Sequence, residues 1–327
     1  KICKMGGKKM IEIFKTNDNL RKIEKVDKIE KGVWINLYSP THEEIEYIIS
    51  KTGADRGFIE NSLDQEERSH IDTEDDQVLV SINVPVKEMT AKQTRVKRYT
   101  TIPLGMIIIK DDYILTVSSE KLDVLNSITS ERIILGEFAT YKKSRIIFQV
   151  LYKVAEEYIG FLDIINKDIE KFEEKLEKTM QNKELMKLIH FQKSMIYFDA
   201  ALKSNQSVME RLKRGKIIKL YEEDEDILED AAIENRQAME MVTTYSEILN
   251  GMIEVFGTMV SNNLNLVMKF LTSITILISI PTLISSILGM NVTFPFMTNV
   301  FGFWMIMFIS ILATILTWSY LKKKDLM

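Results

Sequence analysis

FLTSITILISIPTLISSILGMNVTFPFMTNVFGFWMIMFISILATILTWSYL, residues 270–321, runs for 52 residues without Asp, Glu, Lys, Arg or His in a chain of which 28% is charged. Two apolar segments lie within it, Phe270–Leu288 and Phe303–Tyr320. Each is close to the ~20 residues with which a helix crosses about 30 Å of hydrocarbon. Only Gly289 to Gly302 separate them, which makes the two spans antiparallel neighbours with no domain between them. Lys269 precedes the first span and Lys322, Lys323 and Lys324 follow the second. Both lysine-bearing ends therefore lie on one side, and the positive-inside rule makes that side the cytoplasm. The stretch predicts a membrane hairpin with both termini cytosolic.

The residues before the first span are numerous enough for one or two soluble domains. The 43 Lys and Arg against 47 Asp and Glu give a net charge of −4 and no basic footprint for nucleic acid. A single cysteine, Cys3, excludes disulfides within the chain and any cysteine-based zinc site. His42, His70 and His190 do not stand at ligand spacing. No set of nucleophile, base and orienting group can be assembled, which argues against an enzyme. Lys1–Lys9 precede Met10 and are set aside from the fold reasoning.

The first ~130 residues read as α/β. Ile11–Phe14, Val33–Leu37, Val78–Val84, Leu104–Ile109 and Tyr113–Val117 are strand-like, with Asp111-Asp112 a tight hairpin between the last two. Thr41 and Glu44 form a capping box that opens a helix to Lys51. From Lys143 the pattern turns helical. Ile147, Leu151, Val154, Tyr158, Phe161 and Ile165 repeat at helical spacing, and Leu188, Met195, Phe198, Leu202 and Met209 do so again after a break near Gln181-Asn182. Glu222 to Asp230 hold seven acids in nine positions, a pattern that predicts a solvated tip. From Ile227 a further helix runs through Lys269 to Leu288. The expected organisation is an α/β domain over 1–142, a helical hairpin over 143–226, a stalk helix over 227–269, spans over 270–291 and 303–321 around a loop over 292–302, and a basic tail over 322–327.

The first span is polar along one line. Asn265, Met268, Thr272, Thr275, Ser279, Thr282, Ser286 and Gly289 follow one another at alternating intervals of three and four residues, which keeps them on one helix face. Upstream the spacing continues through Ser261, Thr258, Glu254, Gly251, Glu247, Thr244, Glu240 and Gln237, with Asp230 in register. In lipid such a face must meet protein or water. The remaining faces are apolar, and the second span has its own hydroxyl row at Ser310, Thr314 and Thr317 for packing. A water-lined path is therefore predicted, and one hairpin cannot enclose it. The stripe implies a homo-oligomer with this helix innermost.

Gly289-Met290-Asn291 ends the stripe and opens the short loop. Here the chain resembles the CorA magnesium-transporter family. The likeness extends through Ser261-Asn262-Asn263-Leu264-Asn265-Leu266-Val267-Met268-Lys269, Leu63-Asp64-Gln65-Glu66-Glu67-Arg68, Pro103-Leu104-Gly105 and the lysine-rich end. The resemblance implies a funnel-shaped homopentamer in the cell membrane, with an α/β cytosolic domain and long stalk helices lining the pore. It implies a selectivity ring of Gly289, Met290 and Asn291 at the outer mouth. Met268 is the expected hydrophobic constriction. Asp230 matches the stalk carboxylate that shares a regulatory divalent ion with an acidic residue of the neighbouring subunit, here Asp75 or Asp76. Mg2+ is thus implied both as the transported and as the regulatory ion, drawn inward by the membrane potential.

Cobalt, nickel or zinc in the same architecture, with or without proton coupling, is the alternative, since nothing in the stripe separates these ions. A membrane-tethered scaffold has no use for the stripe or for Asn291. The predicted orientation has a direct test: an impermeant thiol reagent added to intact cells labels Thr298→Cys and not Lys324→Cys. Label at Lys324→Cys alone reverses the topology.

Overall fold

The computed structural model describes residues 10–17, 22–88, 98–129, 139–176, 182–215, 217–290 and 300–324. The chain divides into two compact units, 1–251 and 252–327. Seven strands of the first unit, β1 (Ile11–Asn17), β2 (Lys22–Val26), β3 (Trp34–Tyr38), β4 (His70–Glu74), β5 (Gln77–Glu88), β6 (Arg98–Ile109) and β7 (Tyr113–Ser118), form one sheet in the order β2-β1-β3-β7-β6-β5-β4. Every neighbouring pair is antiparallel except β3 and β7. The five expected strands are present, and β5 and β6 extend well beyond the segments expected for them. The charge-rich β2 and β4, KIEKV and HIDTE, occupy the two edges and lie outside the expectation. Edge strands tolerate charge because their outer side meets water.

Helices cover both faces. α1 (His42–Thr52) carries the expected capping box: the Glu44 N–H donates to Thr41 Oγ1 at 3.3 Å, and Glu44 Oε2 accepts from the Thr41 N–H at 3.0 Å. Gly53 ends it in the left-handed region at φ 72°. With α2 (Arg56–Leu63), α1 buries Ile45, Ile48, Phe58 and Ile59 against Ile35, Leu37, Leu79, Ile107 and Leu115. A Cβ at Gly105 would collide with the Ser62 side chain, so α2 crosses β6 at a distance that only glycine allows. The alternate residues Val80, Ile82, Leu104 and Met106 are equally buried, which explains the unbroken apolar runs of β5 and β6. The β6–β7 turn falls at Lys110-Asp111, one residue earlier than expected: both adopt positive φ, and the Asp112 N–H closes on the Ile109 carbonyl.

The short α3 (Asp123–Thr129) precedes two long helices, α4 (Lys143–Leu176) and α5 (Asn182–Lys213). Tyr158 and Phe198 meet edge to face at 5.1 Å, at similar distances along the two helices from the 177–181 connection, as antiparallel arms require. A buried polar network ties this layer to the sheet. Asn205 Oδ1 accepts from the Asn83 N–H at 3.0 Å while its Nδ2 donates to the Asn83 carbonyl at 2.9 Å. Tyr158 Oη donates to that same carbonyl at 2.9 Å, and Ser69 Oγ donates to Asn205 Oδ1 at 2.7 Å. In low dielectric such mutually satisfied groups specify one geometry.

α6 (Glu222–Leu288) is a single helix of 67 residues. It begins five residues before the expected start, and the acidic run forms its first turns, with six of its seven acids exposed as expected. Acidic side chains there complement the helix dipole. Asp224 is buried. The second unit holds the end of α6 together with α7 (Val300–Lys323). Both helices are long and apolar enough to cross a membrane.

One carboxyl of the first unit is shifted toward its neutral form. Glu157 Oε2 on α4 is buried and accepts no hydrogen bond among the described residues. Desolvation first, and the Asp123 carboxylate second, raise its pKa from 4.5 to about 7. The folded state thus holds a proton that the unfolded chain has released, and stability falls as pH rises between those values. The loss reaches on the order of 3 kcal/mol above pH 7. Glu157→Gln keeps the shape and cannot ionise. It raises the thermal unfolding midpoint of the detergent-solubilised protein at pH 8 and leaves it unchanged near pH 4, and a variant with the parent's pH profile would contradict this.

Candidate functional site

α6 in the second unit has two opposed faces. Ser273, Leu277, Ile280, Ile284 and Leu288 are its more covered positions, and Gly302, Ile306, Ser310, Ala313, Thr314, Thr317 and Leu321 are those of α7. The two rows face each other across an apolar cavity of about 570 Å3 that also takes in Pro281. The hydroxyl row of α7 thus belongs to packing within the hairpin. Thr314 and Thr317 donate to the carbonyls of Ser310 and Ala313 at 2.8 and 2.9 Å. Pro281 lacks the N–H that would otherwise bond the Leu277 carbonyl on this packed side.

Thr272, Thr275, Ser279, Thr282, Ser286 and Gly289 are all exposed. At about 100° per residue they lie roughly opposite the row that packs on α7. The stripe is therefore not the seam of the hairpin. Its hydroxyls are internally bonded: Thr275 donates to Leu271 O at 2.8 Å, Ser279 to Thr275 O at 2.7 Å, and Thr282 to Ile278 O at 2.8 Å. With each proton so engaged, the oxygen lone pairs are the groups left to accept from outside. These three oxygens present acceptors, the groups suited to bonding the water shell of a cation.

The upstream part of the stripe is exposed as well, from Asp230 through Glu240, Glu247, Glu254, Thr258 and Ser261 to Asn265. Met268 is 52% exposed on the same line. α6 ends at Leu288, where the Gly289 N–H donates to Ser285 O at 3.0 Å and the Met290 N–H to Ile287 O at 3.3 Å. Met290 is exposed. Asn291 and the loop residues up to 299 lie outside the described residues, as do Cys3 and residues 325–327.

Asp75 and Asp76 form the turn between β4 and β5, with Asp75 at φ 49° and the Asp76 carbonyl accepting from the Lys110 N–H at 3.0 Å. Both carboxylates, and that of Asp230, are exposed. Among the described residues no three His, Cys, Asp or Glu side chains converge as a metal site within one chain. Hard carboxylate oxygens are the donors that Mg2+ takes.

Sequence reasoning missed one charged constellation. Arg145, in the first turn of α4, donates from Nε to Asp224 Oδ1 at 2.6 Å and from Nη2 to Glu223 Oε2 at 2.9 Å. Burial works against its charge, yet these bonds to Asp224 and Glu223 hold the guanidinium pKa above its ordinary value. The basic Lys142-Lys143-Ser144-Arg145 entry to α4 and the acidic start of α6 were the available signal: two oppositely charged helix starts.

The chain is 27% identical over 285 residues to the cobalt/magnesium transport protein CorA of Methanocaldococcus jannaschii, covering 84% of this chain and 85% of that protein. The complete structure of the CorA magnesium transporter from the same organism superposes with a TM-score of 0.78 at 24% identity, over 96% of this chain and 97% of the other. The full-length CmaX protein has the same fold at a TM-score of 0.69 and 15% identity, over 98% and 99%. Residues 30–323 match the model of the CorA-like Mg2+ transporter protein family. With that match spanning strands β3 to β7, the long helix and the hairpin alike, the chain belongs to the CorA-like Mg2+ transporter family.

Proposed function

We propose that this chain assembles as a homopentamer in which α6 surrounds a water-filled path for Mg2+, with Co2+ a second cargo. The observation that carries the reading is the exposed stripe on α6, opposite the face packed on α7. Its hydroxyl oxygens are hydrogen-bond acceptors along the path, and with Thr272 and Ser286 they line it. The Methanocaldococcus jannaschii relative, a cobalt/magnesium transport protein, supports both ions. Mg2+ gives up its water reluctantly, so a path of neutral oxygens that accept from those waters costs less than a cage that strips them. Gly289, Met290 and Asn291 form the outer selectivity ring, where the Asn291 amide meets the hydrated ion. The helix ends there add partial negative charge. Asn265 lines the inner mouth, and Met268 is the apolar constriction below it. Two charges crossing 100 mV release about 4.6 kcal/mol, so influx needs no ATP.

Feedback comes from the cytosolic carboxylates. Mg2+ held between Asp230 of one subunit and Asp75 or Asp76 of the next fastens the stalks together. Loss of the ion leaves like charges facing one another, and the subunits move apart.

Asn291→Ala removes the group that bonds the ion's water. In proteoliposomes it abolishes or severely reduces Mg2+ uptake while the oligomer survives size-exclusion chromatography; uptake at the parent rate would overturn the ring. The regulatory site is tested by limited proteolysis across a Mg2+ titration, because an ion that binds the closed form protects it. Asp230→Ala loses that protection, and Asp230→Lys, which places a fixed cation there, needs less Mg2+ for it. Identical curves for parent and both variants would remove Asp230 from gating.

A further inference from the structure

The deepest charges of the first unit join two helices of separate duties. Asp224 is 2% exposed and Arg145 is 7% exposed at its side chain. Both Asp224 oxygens are held by the first turn of α4: Oδ1 by Arg145 Nε at 2.6 Å, Oδ2 by Ser144 Oγ at 3.1 Å. α4 in turn is fixed to the sheet through Tyr158 on the Asn83 carbonyl and the Tyr99–Phe161 ring contact at 5.3 Å. α6 carries the polar stripe at its other end. Asp76, Arg145 and Asp224 also border one cavity of about 720 Å3. Most of the basic side chains around that cavity are already engaged, Lys143 with Asp111 at 2.9 Å and Lys142 with Glu223 at 3.9 Å, which argues against its being an anion site.

A buried ion pair adds little net stability compared with apolar side chains of the same volume, but it demands one geometry. A pair kept at this junction is therefore suited to position a helix rather than to stabilise it. We propose that Arg145 and Asp224 form the clamp through which ion binding at Asp75 or Asp76 acts on α6. They fasten the first turn of α6 to α4, so that a displacement of the β4–β5 edge is delivered to the helix and not absorbed at the junction. Both are positioning residues, and the inference rests on the regulatory reading given above.

The test is Mg2+ flux through the full-length protein in proteoliposomes as a function of Mg2+ on the cytosolic side. Arg145→Met with Asp224→Leu fills the same space with apolar groups. It conducts at the parent rate when cytosolic Mg2+ is low, and its half-inhibiting Mg2+ concentration rises by about tenfold or more. The reversed pair, Arg145→Asp with Asp224→Arg, returns that concentration toward the parent value. Asp224→Asn keeps the bond from Ser144 and shifts inhibition by an intermediate amount; it decides the matter if the double variants fail to fold. Inhibition of the apolar pair, or of Asp224→Asn alone in that case, at the parent's Mg2+ concentration overturns the clamp and leaves a packing role. A parent that cytosolic Mg2+ does not inhibit overturns the regulatory reading itself, and the clamp with it.

Discussion

A helix in lipid has no water to receive its polar side chains, and everything distinctive about α6 follows from that constraint. Its apolar positions can face hydrocarbon or α7, but a line of hydroxyls from Thr272 to Ser286 cannot face hydrocarbon without cost. The hairpin could have hidden that line between its own two helices. It does the reverse: Leu277, Ile284 and Leu288 take the inside of the hairpin and the hydroxyls face away from it. One hairpin thus leaves its polar line without cover of its own, which is the ground for the assembly proposed above.

The membrane part was legible because its signals are long and local. A 52-residue gap in charge and an unbroken alternation of three and four need no knowledge of distant residues. The same holds for the capping box at Thr41 and the repeat that makes α4 and α5. What escaped depends on partners far along the chain. The KIEKV and HIDTE segments are strands only because neighbouring strands supply the hydrogen bonds, and their charges hide the pattern. Within the solvated acidic run, Asp224 reads like its neighbours until Arg145, 79 residues away, is brought against it. The turn at Lys110-Asp111 was displaced by one residue because Asp-Asp and Lys-Asp are comparable in turn propensity, and the register of β6 with β7 decides between them. Of the candidate site, both the line of residues and its turning away from the second span were readable, because the second span carries its own hydroxyl row for packing.

α6 has to satisfy two environments with one backbone. Near its start Asp224 and Asn235 are held by bonded partners, Asn235 through the Leu202 carbonyl and Gln206 on α5. Further along, Gly251 and Gly257 are exposed with no neighbouring atoms where a Cβ would stand. The sequence therefore changes from residues chosen for specific bonds to residues that make few demands before the apolar part begins.

The amide of Asn205 has a consequence of a different kind. β4 pairs with β5 only as far as His70 opposite Ser81, so the next stretch of β5 would present bare N–H and C=O groups at the sheet margin. By donating to the Asn83 carbonyl and accepting from the Asn83 N–H, Asn205 occupies the place of a neighbouring strand with one side chain. A free margin is a template for pairing with any other extended chain. Closing that margin with a side chain removes one route to edge-to-edge pairing between chains, which matters most while newly made copies are still crowded together.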